Sequence, residues 1–320
     1  MEDALHKITL RQLQIFLIAA QTSSFIRAAE ILSLTPPAVS MQMSSLGEEL
    51  GAPLFEKRGR NLVLTVAGET LIPYAERITQ TLGDANEAIG ALKGVQRSTV
   101  KVGMVTTSRN FGPHLVARFQ AEHRDTKLDI VIANRRSIIE KLEHQQVDVA
   151  LMGRSPRRIQ VESVPFADHP YVVIANANHP LAGKSSIDPK ELGTETFLVR
   201  EKGSGTRMVL ERFLEDSGLS VPRIQEIGGT ENIKQAVMAN MGVAVISGHT
   251  IHLERQLGLL SVLDVQGMPQ IRTWFAVHLK GRELSEAATR FEQFVKEQGP
   301  QFMAEFFGES ATQTPSKGAK

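Results

Sequence analysis

The chain has 320 residues, 42% of them hydrophobic, enough to bury a large core and to form roughly two or three domains of ordinary size. It contains no cysteine, which excludes disulfides, thiolate metal sites and a cysteine nucleophile and fits a reducing compartment. Its formal net charge is +1, and in residues 1–64 the cations Lys7, Arg11, Arg27, Lys57, Arg58 and Arg60 balance Glu2, Asp3, Glu30, Glu48, Glu49 and Glu56, so any nucleic-acid reading has to rest on pattern rather than on total charge.

The chain opens without a basic segment leading into an apolar one, and no apolar run is long enough to span a bilayer, so we expect a cytoplasmic protein with no membrane partner. Leu13, Phe16, Leu17 and Ala20, then Phe25, Ala28, Ala29 and Leu32, recur at helical spacing and predict two short amphipathic helices, the second capped by Ser24. After a turn at Ser33-Leu34, Thr35 is the expected N-cap of a third helix with Pro36 and Pro37 in its first turn. Val39, Met43, Leu46 and Leu50 face its core side. Pro37, Met41, Ser44 and Ser45 point away, flanked by Ser40 and Gln42, a small uncharged face suited to a major groove. Gly51-Ala52-Pro53 ends this helix, and Lys57-Arg58-Gly59-Arg60 before Leu62-Val63-Leu64 reads as a cationic hairpin tip that would grip phosphates. Taken singly, such helices form any small bundle and such a turn is merely solvated; their order and combination favour a winged helix-turn-helix.

From residue 10 to 70 the motifs Ser24-Phe25-Ile26-Arg27-Ala28-Ala29, Pro37-Ala38-Val39-Ser40, Leu50-Gly51-Ala52-Pro53-Leu54-Phe55 and Leu64-Thr65-Val66-Ala67-Gly68 resemble the N-terminus of LysR-type regulators in order and spacing. The resemblance implies DNA contact through Thr35, Pro36, Pro37, Ser40, Met41, Gln42 and Ser44 on the recognition helix and through Arg58 and Arg60 on the wing. Pro36 and Met41 depart from the Gln and Arg that many members carry, which makes readout at those two places apolar.

Leu71, Ala75, Ile78, Leu82, Ala85, Ile89 and Leu92 form a heptad seam, so residues 66–94 are expected to be a dimerising helix after a DNA-binding domain at 1–65, with Pro73 kinking it or weakening its first turn. In the resembling family the active unit is usually a tetramer; homodimer and homotetramer both remain open here.

From residue 99 short apolar runs at 100–105, 128–132, 147–152, 171–175, 197–199, 242–246 and 274–277 alternate with helical stretches, which predicts an α/β domain with a largely parallel sheet. The resemblance implies a periplasmic-binding-protein-like two-lobed regulatory domain over 95–307, one lobe from about 95–166 and 267–307 and the other from 167–266; the low-complexity composition after it predicts that 308–320 is a disordered tail. Ligands of such sheets bind at strand ends and helix N-termini. Three places fit: Thr106-Thr107-Ser108, Gly203-Ser204-Gly205-Thr206-Arg207 and Ser247-Gly248. The cations Arg135, beside Asn134, Arg136, Arg154, Arg157, Arg158, Arg200, Lys202 and Arg207 surround them and favour a multiply anionic metabolite. Arg154 stands out because it directly follows an apolar strand.

The wording Thr35-Pro36-Pro37-Ala38-Val39-Ser40-Met41-Gln42 together with Met152-Gly153-Arg154 resembles the CbbR subgroup of carbon-fixation regulators, whose effectors are phosphorylated intermediates or NADPH. No cofactor or metal is expected. The partners implied are promoter DNA, RNA polymerase and the effector, whose binding would change the angle between DNA-bound pairs and relax a DNA bend. Neither a dinucleotide-binding glycine pattern, a phosphate-binding loop, a zinc-protease helix nor a nucleophile elbow is present, so no enzyme is expected. The rival readings are a LysR-type regulator of another operon with a small carboxylate effector and, more remotely, a solute-binding receptor.

Overall fold

The computed structural model describes residues 7–58, 61–92, 98–220 and 223–308. They cluster into two compact units, Met1–Gln96 with His144–Gln146 and Arg97–Glu143 with Val147–Lys320. Among the described residues no helix is long and apolar enough to cross a membrane.

In the first unit, helix α1 (Leu10–Thr22) starts at a capping box in which Thr9 and Gln12 each satisfy the other's backbone amide. Helix α2 (Phe25–Leu32) is capped as expected, the Ser24 hydroxyl accepting from the Arg27 amide at 3.3 Å. Helix α3 (Pro36–Leu50) has Thr35 at the N-cap position, but its hydroxyl makes no capping bond. The reason is local: Pro36 and Pro37 have no N–H to offer, and the Ala38 amide is taken by the Thr35 carbonyl at 3.0 Å. The three helices close on Leu13, Ile15, Phe16, Ala28, Ala29, Val39, Met43 and Leu46. Leu50 does not join them and is 41% exposed, since Gly51, at φ +74°, turns the chain out of the helix there. Ser45, expected to face outward, is half-buried and accepts from Gln12 Nε2 at 3.4 Å, so it fixes α3 against α1.

Strands β1 (Phe55–Arg58) and β2 (Asn61–Leu64) pair antiparallel from Phe55↔Leu64 to Arg58↔Asn61. Lys57 and Arg58 therefore belong to a strand and not to the hairpin tip; Phe55, packed edge-on against Phe16 and Phe25 at 5.7 and 5.2 Å, sets that register. Gly59 and Arg60 lie outside the described residues. Helix α4 (Val66–Leu92) begins at Thr65, whose hydroxyl donates to the Pro53 carbonyl and accepts from the Gly68 amide, and it continues through Pro73. Gly68 allows this approach: a Cβ there would lie 2.2 Å from the Leu54 carbonyl oxygen. Of the heptad seam, Ala75 is buried and Leu71 half-buried against the three-helix core, because that core needs a lid; Ile78, Leu82 and Ile89 stay about half exposed.

In the second unit, β3 (Ser98–Val105) pairs parallel with β4 (Thr126–Ala133) and β5 (Val149–Met152), as the alternation implied. The rest of the sheet is antiparallel, which corrects the expectation of a largely parallel one. Two long strands, β6 (Val161–Asn176) and β11 (Gln270–Leu279), carry the chain from one lobe to the other and back, so they must run in opposite directions; they pair along the whole of β11. β5 flanks β11, and β9 (Ala244–Ser247) and β10 (Leu260–Leu263) flank β6, all antiparallel. β7 (Thr196–Val199) pairs with β8 (Arg223–Glu226), an exposed strand whose sequence carries no apolar run. One core gathers residues from Val100 to Phe166 and from Trp274 to Phe307, packed by α5 (Gly112–Glu122), α6 (Arg135–Glu143) and α10 (Glu286–Phe307). Two further clusters, between residues 171 and 265, build the second lobe under α7 (Gly205–Ser217), α8 (Thr230–Met238) and α9 (His252–Gln256). The stretch 309–320, expected to be a disordered tail, lies outside the described residues.

Candidate functional site

Glu48 and Leu50 are exposed toward the end of α3; at its N-cap and over its first turns, Thr35, Pro36, Pro37, Ser40, Met41 and Ser44 are exposed, with Gln42 half-buried beside them. They form one stripe at helical spacing opposite Val39, Met43 and Leu46. The stripe offers hydroxyls that donate or accept at base edges and, at Pro37 and the 64% exposed Met41, apolar surface of the kind that meets a thymine methyl. On the wing, Arg58 is highly exposed and its Nε donates to Glu56 at 2.8 Å, so any phosphate it met would compete with that carboxylate.

The second unit holds a cavity of about 1070 Å³. Of the residues singled out from sequence, Thr106, Thr107, Arg135, Arg154, Ser204 and Thr206 line it. Its floor is the first turn of α7, where Ser204 caps the helix by accepting from the Thr206 amide at 3.2 Å. First-turn amides lack intrahelical partners and favour an anion. Thr206 is buried, and its Oγ1 makes no well-formed hydrogen bond, its polar approach being to the Tyr171 phenol. Tyr171, on β6, stands beside it. Burial pushes the phenol up to about 12, while Thr206, Arg135, Arg272 and Arg200 act in the opposite direction. The tyrosine therefore stays protonated, a hydroxyl surrounded by positive charge.

Arg135 donates to the Arg154 carbonyl at 2.5 Å and the Ser155 carbonyl at 3.3 Å. Burial first, and the Arg154 charge second, lower its pKa, as expected for a cation held by carbonyls without a counter-ion. Arg154, Arg157 and Arg272 also line the cavity, and among the described residues none of the three pairs with a carboxylate. At the far end Arg212 is paired with Asp216 at 2.9 Å, and Glu211 and Glu215 add negative charge. The cavity is thus cationic at the α7 N-terminus and mixed at its outer edge.

Other residues read from sequence have different employment. The Ser108 hydroxyl donates to the Val105 carbonyl at 2.7 Å and closes a turn. Asn134 caps α6 through the Ser137 amide. Arg207 is held by Glu211, Glu226 and the Arg200 carbonyl, and Lys202 is exposed outside the cavity. Ser247 is buried against His169 at 2.9 Å. Arg200, 2% exposed, is bound by both oxygens of Glu201, by Thr230 at 2.5 Å and by Thr106 at 3.4 Å. That hydrogen-bonded pairing holds Glu201 down to about 2. Sequence reasoning missed Tyr171 and Arg272 as site residues. Both sit on the long strands, and no local signal marks them: by the period of two Arg272 and Trp274 share a face of β11, yet one is exposed and the other buried.

Residues 10–69 match the bacterial regulatory helix-turn-helix protein, lysR family, and residues 93–300 match the LysR substrate binding domain. The chain belongs to the LysR family. A RuBisCO operon transcriptional regulator of Allochromatium vinosum is 42% identical over 288 residues, 90% of this chain and 95% of the relative. The regulatory domain of Synechocystis PCC6803 CcmR, solved in complex with 2-PG, is 32% identical with a TM-score of 0.60, covering 63% of this chain and 99% of that one. Full-length CbnR in complex with its target DNA superposes with a TM-score of 0.69 at 19% identity, covering 90% of this chain and 99% of that one, and so shares the fold.

Proposed function

We propose that this LysR-family regulator binds the promoter of a carbon-fixation operon in the cytoplasm as a homodimer or homotetramer. A small phosphorylated metabolite seated at the α7 N-terminus controls it. The observation that carries the effector is the buried Thr206 oxygen, with no well-formed hydrogen bond, at a helix N-terminus and beside three arginines that no carboxylate neutralises. A dianion fits that chemistry, with forked bonds from arginine and hydrogen bonds from Thr206, Tyr171 and helix amides. The similarity to a RuBisCO operon regulator and to a domain solved with 2-PG, 2-phosphoglycolate, supports both the operon and the effector class. DNA contact is assigned to Thr35, Pro36, Pro37, Ser40, Met41, Gln42 and Ser44, with Arg58 and Arg60 on phosphates. The half-exposed Ile78, Leu82 and Ile89 would pair with a second copy, placing two recognition helices on two half-sites.

NADPH is the second reading, favoured by a cavity volume well above what a two-carbon phosphate ester fills. Calorimetric titration of the full chain with 2-phosphoglycolate, glycolate, inorganic phosphate and NADPH separates the two. Binding of 2-phosphoglycolate but not glycolate supports a phosphate seat, NADPH binding alone supports the second reading, and binding of neither removes the effector assignment. Genomic fragments selected on the protein and enriched upstream of carbon-fixation genes would support the operon; enrichment elsewhere would overturn it.

A further inference from the structure

The turn Gly248–Thr250, after β9, brings the second lobe against the first. Its His249, 4% exposed, stands among rings of the first lobe, stacked on Phe307 with centroids 4.2 Å apart and met edge-on by Phe111 at 6.3 Å. Trp274 on β11 donates its indole N–H to His249 Nδ1 at 3.1 Å. Burial pushes the imidazole down to about 3, so the ring is neutral and Nδ1 keeps its lone pair. Next to it, Asn110 of the first lobe donates to the Thr250 carbonyl at 3.1 Å. The turn is braced from its own side, Thr250 Oγ1 donating to the Ser247 carbonyl at 2.7 Å and Lys234 Nζ to the Thr250 carbonyl at 2.9 Å.

From Trp274 the rings continue to the cavity wall. His169, fully buried on β6, lies almost parallel to the indole at 3.9 Å, and Tyr171, which lines the cavity, meets His169 at 4.5 Å. Gly153, on the same wall, leaves the room His169 needs, since a Cβ there would sit 2.3 Å from its Nδ1.

We propose that His249 is a positioning residue: its bond to Trp274 latches the turn after β9 onto the first lobe and sets the angle of the two lobes around the effector cavity. The latch has two discrete settings, made or broken, and an effector that prefers one lobe angle shifts the balance between them. Its consequence for the effector rests on the cavity reading above; the latch itself does not.

Trp274 is the chain's one tryptophan, so its emission reports on the latch. The experiment compares acrylamide quenching of full-length wild type, His249→Phe, His249→Gln and Asn110→Ala, each shown to be folded by circular dichroism, with and without 2-phosphoglycolate. His249→Phe keeps the ring packing but removes the acceptor; its quenching should rise severalfold and its affinity for 2-phosphoglycolate fall about tenfold, with basal DNA affinity unchanged. His249→Gln, which retains an acceptor, should stay near wild type, and Asn110→Ala should move in the same direction as His249→Phe by less. A folded His249→Phe with wild-type quenching overturns the latch. So does a His249→Gln as impaired as His249→Phe, which would mean that keeping an acceptor at this position preserves nothing. Should His249→Phe not fold, wild-type quenching in Asn110→Ala overturns it. If wild type binds no 2-phosphoglycolate while His249→Phe still exposes Trp274, the latch stands and the cavity reading falls.

Discussion

The recognition stripe takes Pro37, Ser40, Met41 and Ser44 from two turns of one helix, whereas the cavity takes Thr106, Arg135, Arg154, Tyr171, Thr206 and Arg272 from six separate elements or turns. The stripe is convex, and what makes it available is simply that its neighbours on α3 are buried. The cavity is concave, and its chemistry depends on charges brought together without counter-ions. A site on one helix tolerates distant change; a site assembled from many elements is vulnerable at every joint.

Predictions that test this contrast run from large effects to small. Replacing Gly68 by Ala would drive a Cβ into the Leu54 carbonyl and should destabilise the first unit by about 3 kcal/mol. Differential scanning calorimetry should show that loss while 2-phosphoglycolate affinity is unchanged; a loss of effector binding as well would mean the two units are not independent in this respect. Next is Glu201→Gln, which removes the carboxylate that both braces Arg200 and carries a depressed pKa. Glu201 sits at about 2 against an ordinary 4.5, so its contribution is fully present above pH 4.5 and lost as the pH falls toward 2. Allowing for its partial exposure, the variant should lose on the order of 2 kcal/mol at neutral pH and match wild type near pH 2. Denaturant titrations across that range that show a pH-independent difference would contradict the pairing.

Smaller effects concern the two sites themselves. Thr206→Val keeps the shape and deletes the buried oxygen, so effector affinity should fall about tenfold with no loss of thermal stability. A stability loss would mean that Thr206 Oγ1 bonds the Tyr171 hydroxyl in the free protein. Arg58→Ala should lower the slope of log affinity against log salt by about one unit for every DNA sequence alike, or by less if Glu56 keeps its hold on the wild-type side chain. A change for one sequence only would make Arg58 a base-reading residue.

Several features of the fold could be read directly from residue order. Helical spacing located α1 to α3, Ser24 caps α2 as its position implied, and the apolar runs at 100–105 and 128–132 are strands in parallel register. Short-range physics decides these: a cap acts within one turn, and strand-forming Val and Ile recur along both runs around single polar residues such as Lys101 and Asp129. Other features escaped. Ser45 reads as outward on a helical wheel and is held inward by Gln12, 33 positions away. Asn134, Ser108 and Arg207 carry the right chemistry for an anion, but each is occupied by a neighbour that residue type alone does not reveal.

The sequence by itself determined the LysR family, the helix-turn-helix with its uncharged outer stripe, and the α/β character of the second unit, because periodicity, caps and motif spacing are local. Only the tertiary structure decided which arginines go unneutralised, that Thr206 is buried beside Tyr171 with no well-formed hydrogen bond, that the long strands run antiparallel, and that the lone tryptophan meets His249. Each of these depends on burial and on partners far along the chain, and a charge or a hydroxyl acquires its role from what it is placed against.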